Sequence, residues 1–213
     1  MDERENILKR IGSALRRTDT EPHPGLPGYS KLFADSAGSL TDRFIAAFTA
    51  IDGKVLLCKD VTDMLEQLQQ LIVDRGGHVV NSRSAYLSGH AQHPAYPDVL
   101  RECPSPVVRT IEVGITDCEC LVANTGTVVM SSSDRSGRAF SVYTPVHIVI
   151  ATERQLVYDL EDGIALMMDR YAGRLPSGIF FVSGPSRTGD IEKTLVLGVH
   201  GPVEIYVLLI EEE

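Results

Sequence analysis

The chain has 213 residues, 43% of them hydrophobic and 23% charged, with a formal net charge of −9. These values suit a folded domain with a real core and exclude disorder as the default state. The negative charge disfavours nonspecific binding to nucleic acid or to anionic membrane.

Asp2 to Arg17 reads as an amphipathic helix. Ile7, Leu8, Ile11 and Leu15 recur at helical spacing, and Asp2, Glu3 and Glu5 sit near the positive N-terminal end. Pro22, Pro24, Gly25, Pro27 and Gly28 then forbid regular structure. Residues 1–28 are therefore expected to form a helical arm and linker, packed on its own domain or on another subunit, and 29–213 to form one α/β domain. No uninterrupted apolar stretch is long enough to span a bilayer, and no charged-then-apolar signal peptide opens the chain. The expected compartment is the cytoplasm, where Cys58, Cys103, Cys118 and Cys120 would be reduced thiols.

From about Ser39 the pattern is α/β. Leu40 to Ile51 carries Phe44, Ile45, Phe48 and Ile51 on one helical face, and Lys54 to Cys58 is a buried-type strand. Asp60 or Thr62 can cap a helix that runs through Arg75 and ends at Gly76-Gly77. His78-Val79-Val80 reads as the next strand, and this alternation implies parallel pairing with crossover helices. In the middle, residues 107–113, 120–123, 126–131 and 147–151 are β-type runs with short connections, so hairpins or a mixed sheet fit better. A helix over about 159–171, a strand over 179–182, a turn, a short helix reaching toward His200, and a final strand over 204–210 complete the chain. One continuous mixed sheet with helices on both faces is the expected architecture.

The turn after residue 182 is Gly184-Pro185-Ser186-Arg187-Thr188-Gly189. Its glycines have the spacing of a triphosphate-binding loop, yet Asp190 stands where that loop needs lysine. A strand, a glycine-rich turn and a helix form a general anion site, because N–H groups at the helix start are unpaired. Ser186 and Thr188 add hydroxyls, and Arg187 offers a planar fork for carboxylate or phosphate. Thr188 is placed to cap the helix, with Asp190 and Glu192 in its first turn. The alternative is a capped helix with a surface arginine.

Asn124-Thr125-Gly126-Thr127 is either a hairpin connection or a turn that presents N–H and hydroxyl groups to a ligand. If it shares a sheet edge with Ser186–Thr188, both face one cleft, at the edge where ligands bind in open α/β folds. His147 follows Pro145 and reads as a structural histidine. His200 reads as a helix-end partner or as an acid–base group beside the turn. His90 and His93 fall in a polar loop. Cys118-Glu119-Cys120 would place both sulfurs on one face of a strand, and the cysteine spacing suits neither zinc nor an iron–sulfur cluster.

Gly114-Ile115-Thr116, Ala123-Asn124-Thr125-Gly126-Thr127, Pro145-Val146-His147 and the long run from Ser183 through Asp190 to Gly201-Pro202 together resemble the LUD-domain family. The resemblance covers nearly the whole chain. It implies a fold similar to the NagB/RpiA/CoA-transferase-like proteins. It also implies a place in the oxidation of L-lactate to pyruvate. With the anion-type turn and the lack of redox cofactor motifs, the leading expectation is an accessory, non-redox component that binds a small carboxylate or phosphate. No cofactor is expected in this chain; the iron–sulfur clusters are expected in partner proteins. Readings as an autonomous transferase or isomerase acting on a phosphorylated or CoA-linked acid, or as an assembly module, remain open. The family usually carries an acidic residue before Thr-Gly-Thr, where this chain has Asn124.

Overall fold

The structure, a computed structural model, describes residues 3–15, 38–75, 80–97, 100, 111–133, 140–188 and 196–211. It divides into Met1–Ala37 and Gly38–Glu213. The first unit contains α1 (Glu3–Leu15), on which Ile7, Leu8 and Ile11 are exposed.

In the second unit, Ser39 caps α2 (Leu40–Ala50) by accepting the Asp42 N–H. This helix buries Phe44 and Phe48, whose rings stack 5.2 Å apart. It leads into β1 (Lys54–Cys58). Asp60 caps α3 (Val61–Asp74), which buries Met64, Leu65, Leu68, Leu71 and Ile72 on one face. Then come β2 (Val80–Ser82), α4 (Ala85–Gly89), β3 (Val113–Asp117), β4 (Cys120–Val122), β5 (Thr127–Ser131), α5 (Phe140–Tyr143), β6 (Val146–Thr152), β7 (Leu156–Val157) and α6 (Leu160–Arg170). The chain closes with β8 (Ile179–Val182), β9 (Arg187–Thr188), β10 (Val196–Leu197) and β11 (Glu204–Ile210).

The strands form three sheets rather than one layer. A parallel sheet has the order β1-β11-β6-β3-β2, a mixed sheet has the order β7-β4-β5-β8, and β9 pairs with β10 in a two-stranded ribbon. The central strands β6 and β11 are nearly continuous apolar runs, as burial on both faces requires. One face of the parallel sheet packs on α3 through Leu65, Leu68, Ile115, Ile148 and Leu208. Its other face shares a core with α2 and the mixed sheet through Phe44, Phe48, Leu121, Val128, Val149 and Val207. The outer face of the mixed sheet packs on Met167 of α6.

The break between sheets falls at Cys118-Glu119, where the chain leaves β3 for β4. Cys118 packs on the shared core and Cys120 on the α6 side, so the two sulfurs do not share a face. The third parallel strand also lies later than its apolar run suggested. Val113 to Thr116 are all buried between β2 and β6, while 107–110 lie outside the described residues. No helix among the described residues is long and apolar enough to cross a membrane.

Among the described residues, the three buried clusters lie between Phe44 and Ile210. Deletion of residues 1–28 is therefore expected to leave a domain that unfolds in one cooperative transition by circular dichroism. A broad, non-cooperative transition would show that the arm belongs to the core.

Candidate functional site

The Asn124–Thr127 turn closes the β4–β5 hairpin, in which Val122 pairs with Thr127. The Ala123 and Asn124 N–H groups donate to the Val157 and Tyr158 carbonyls at 2.9 Å each, which anchors the turn to the end of β7. Asn124 Oδ1 accepts from Arg43 at 3.4 Å, and the Arg43 guanidinium lies 5.2 Å from the Tyr158 ring centre. Gly126 adopts φ +58°, and a Cβ there would lie 2.4 Å from the Phe48 backbone nitrogen. The turn thus rests directly on the backbone of α2, where only glycine fits.

β5 pairs antiparallel with β8, and the Val128–Val182 register sets Thr127 beside Ser183. Thr125 and Thr127 hydroxyls hydrogen bond at 2.7 Å, and Thr127 and Ser183 hydroxyls at 2.8 Å. A row of three hydroxyls therefore joins the two motif turns. Beyond it, Gly184 has φ +81°, and a Cβ there would lie 2.4 Å from the Ile51 carbonyl oxygen. The Ser186 N–H donates to the Pro202 carbonyl at 2.9 Å, and the Gly198 N–H donates to the Ser186 carbonyl at 3.1 Å. These bonds tie the two ends of the long motif together.

Arg187 pairs with Asp52, and their side chains are 39% and 74% exposed. Asp52 sits in the turn between α2 and β1 with φ +62°. Thr188 pairs with Val196 and Arg187 with Leu197. The helix expected to reach His200 is thus replaced over 196–200 by a strand and bends, and His200 is exposed between Gly198 and Gly201. The Ser186 bonds clamp this segment from both sides, and a ribbon satisfies that closure where a helix would not. Gly189, Asp190 and Glu192 lie outside the described residues.

The location of the turns is a second correction. Asp52 lies two residues before the start of β1, and the Val203 N–H, just before β11, donates to the Pro145 carbonyl, just before β6, at 2.8 Å. The turns gather at the edge where the parallel strands begin, opposite the carboxyl edge that binds ligands in open α/β sheets.

His147 stands apart from this junction, fully buried on β6. Its Nε2 hydrogen bonds Thr116 Oγ1 at 2.8 Å, joining the Gly114-Ile115-Thr116 and Pro145-Val146-His147 motifs in the core. Thr116 also donates to the Met130 sulfur at 3.7 Å, and His147 Nδ1 finds no partner among the described residues. Burial alone pulls the imidazole pKa down to about 4, so the ring is neutral at physiological pH. His90 Nδ1 contacts the Tyr86 carbonyl oxygen at 2.9 Å, and His93 contacts the Thr62 hydroxyl at 3.4 Å.

Sequence reasoning did not find Asp52 or Arg43 as partners of the site, because both come from α2 and its C-terminal turn, far away in the chain. Ser183 carried a signal: it opens the long motif at a strand end, where its hydroxyl can meet a neighbouring strand.

A family model for the LUD domain matches residues 41–210. The chain belongs to the LUD-domain family. This LUD domain is 26% identical to lactate utilization protein C of Exiguobacterium sp. over 98% of this chain and 96% of that one. It is 37% identical to lactate utilization protein C of Shouchella clausii, over 48% of this chain and 45% of that one. An uncharacterized protein of Neisseria meningitidis serogroup B is 24% identical over 99% of this chain and 94% of its own length. Among solved structures, a DUF162 family protein from Deinococcus radiodurans shares the LUD-domain fold with a TM-score of 0.59 at 14% identity, over 80% of this chain and 96% of that one.

Proposed function

We propose that this LUD-domain protein serves the oxidation of L-lactate to pyruvate as a non-redox component, binding a small carboxylate or phosphate where its two motif turns meet. The observation that carries the binding reading is the hydroxyl row of Thr125, Thr127 and Ser183, continuing into the loop that holds Ser186 and Arg187. Hydroxyls supply donors, and Arg187 supplies charge and a planar fork. The relatives named lactate utilization protein C, one of them matched over nearly its full length, support the pathway. The partners in this reading are cytoplasmic iron–sulfur proteins that carry the electrons.

Asp52 occupies Arg187 in the structure. An exposed ion pair contributes about 0–1 kcal/mol, so a ligand that also gains hydroxyl contacts displaces it. Arg187→Ala is expected to weaken binding about tenfold to a hundredfold, the loss of a charge-assisted contact of roughly 1.5–3 kcal/mol. Asp52→Asn, which tolerates the positive φ, is expected to tighten it. Calorimetric titration with L-lactate, pyruvate and phosphate measures both. Unchanged binding by an Arg187→Ala variant that melts far lower would make Arg187 a structural tie instead.

The accessory role is tested by lactate-dependent dye reduction. The purified chain alone is expected to give none, and its addition to the iron–sulfur partners is expected to raise their rate. Dye reduction by the chain alone would refute the role.

A further inference from the structure

The carboxyl edge of the parallel sheet, opposite the motif turns, holds a cleft of about 410 Å³. Ile150 and Ala151 of β6 form its floor, and Tyr86, Asp117, Gln155 and Arg170 stand around it. A smaller cavity of about 160 Å³ adjoins it and shares Asp117 and Cys118. The larger volume falls in the range of small-molecule pockets. The cleft lies at the carboxyl ends of β3 and β6, where the chain leaves one sheet for the other, the position at which α/β sheets take ligands.

The polar groups of this cleft differ in what they have left to offer. Asp117 accepts from the Ser84 hydroxyl and from the Ala85 and Tyr86 N–H groups at 2.7 and 3.2 Å. Glu119 is buried and accepts from the Ser131 and Tyr171 hydroxyls at 2.5 Å each, and from Arg170. Burial alone would push its pKa up, but those three hydrogen bonds hold it below the ordinary carboxylate value. Gln155 donates to the Cys118 carbonyl at 2.7 Å and accepts the Thr152 N–H at 2.9 Å, which fixes the wall. Arg170 reaches Glu119 through one guanidinium nitrogen only, and its other N–H groups meet no acceptor among the described residues. Each carboxylate already accepts three hydrogen bonds, while an arginine oriented by a buried glutamate keeps donors to spare.

We propose that this cleft is a second binding site, for a monocarboxylate with an apolar body. Its head group accepts from Arg170, and its body lies along Ile150, Ala151 and the Tyr86 ring. Asp117 across the cleft and Glu119 on Arg170 oppose a second negative charge on the ligand more than a first, which favours a monoanion over phosphate.

Calorimetric titration with acetate, hexanoate and octanoate tests the proposal. Affinity is expected to rise with chain length, by up to about fourfold per methylene. The double variant Glu119→Gln/Arg170→Met, which leaves no buried charge unpaired, is expected to lose at least tenfold in octanoate affinity. The titrations are made in the Arg187→Ala background, where carboxylate binding at the motif turns is weakened, so that the octanoate binding measured reports this cleft. No saturable octanoate binding, or equal binding by a folded double variant, would each overturn the proposal.

Discussion

Gly126→Ala is expected to destabilise the domain by about 3–5 kcal/mol, lowering the melting temperature by roughly 10 °C. Two effects add at this position. The backbone has φ +58°, which an alanine adopts only with strain, and the new Cβ would lie 2.4 Å from Phe48 N and 2.6 Å from the Ala47 carbonyl carbon. Both atoms are backbone inside α2, so relief requires the helix or the hairpin to move. Movement separates Thr125 and Thr127 from Ser183, and ligand binding should fall with stability. Gly89→Ala is the control, because nothing lies within 4 Å of a Cβ there. Its effect is expected within about 0.5 kcal/mol. Equal losses in the two variants would show that the turn does not rest on α2.

The second large effect is acid lability that begins above the carboxylate range. His147 has a folded pKa of about 4, lowered by burial from an ordinary 6.5. The unfolded chain therefore takes a proton as pH falls through 6.5, and the folded chain does not until about pH 4. Stability is full above the unfolded value and is lost as pH falls between the two, by on the order of 3 kcal/mol. Urea unfolding measured from pH 8 to pH 4.5 is expected to show this slope. His147→Leu removes the ionisable group and should flatten it. A slope that persists in a folded His147→Leu variant would assign the lability to other groups. Glu119 and Glu204, both held below their ordinary values, add their own losses only at lower pH.

The sequence carried the regular elements well where hydrophobic period and caps agreed. Of the two caps expected for α3, Asp60 serves, and 179–182 and 204–210 are strands with the expected limits. It failed where long-range closure overrides local pattern. The segment before His200 has a mixed polar–apolar look that reads as helix, yet the Ser186 bonds to Pro202 and Gly198 hold 196–197 in a ribbon. The break between sheets at Cys118-Glu119 had no local signal, because a strand that changes sheets still alternates like a strand. The two motif turns were legible as turns, and their hydroxyls as donors. Their meeting depends on the β5–β8 register, and the Arg187 partner depends on a turn 135 positions away, neither of which composition encodes.

The central claim is that a small carboxylate binds where the two motif turns meet. Amide chemical-shift mapping by ¹⁵N NMR during titration with L-lactate tests it most directly. The account predicts saturable shifts concentrated at Thr125, Gly126, Thr127, Ser183, Gly184, Ser186 and Arg187, with Asp52 shifting as its ion pair with Arg187 opens. Saturable shifts confined to residues outside this junction, or no saturable shift with L-lactate, pyruvate or phosphate, would contradict it.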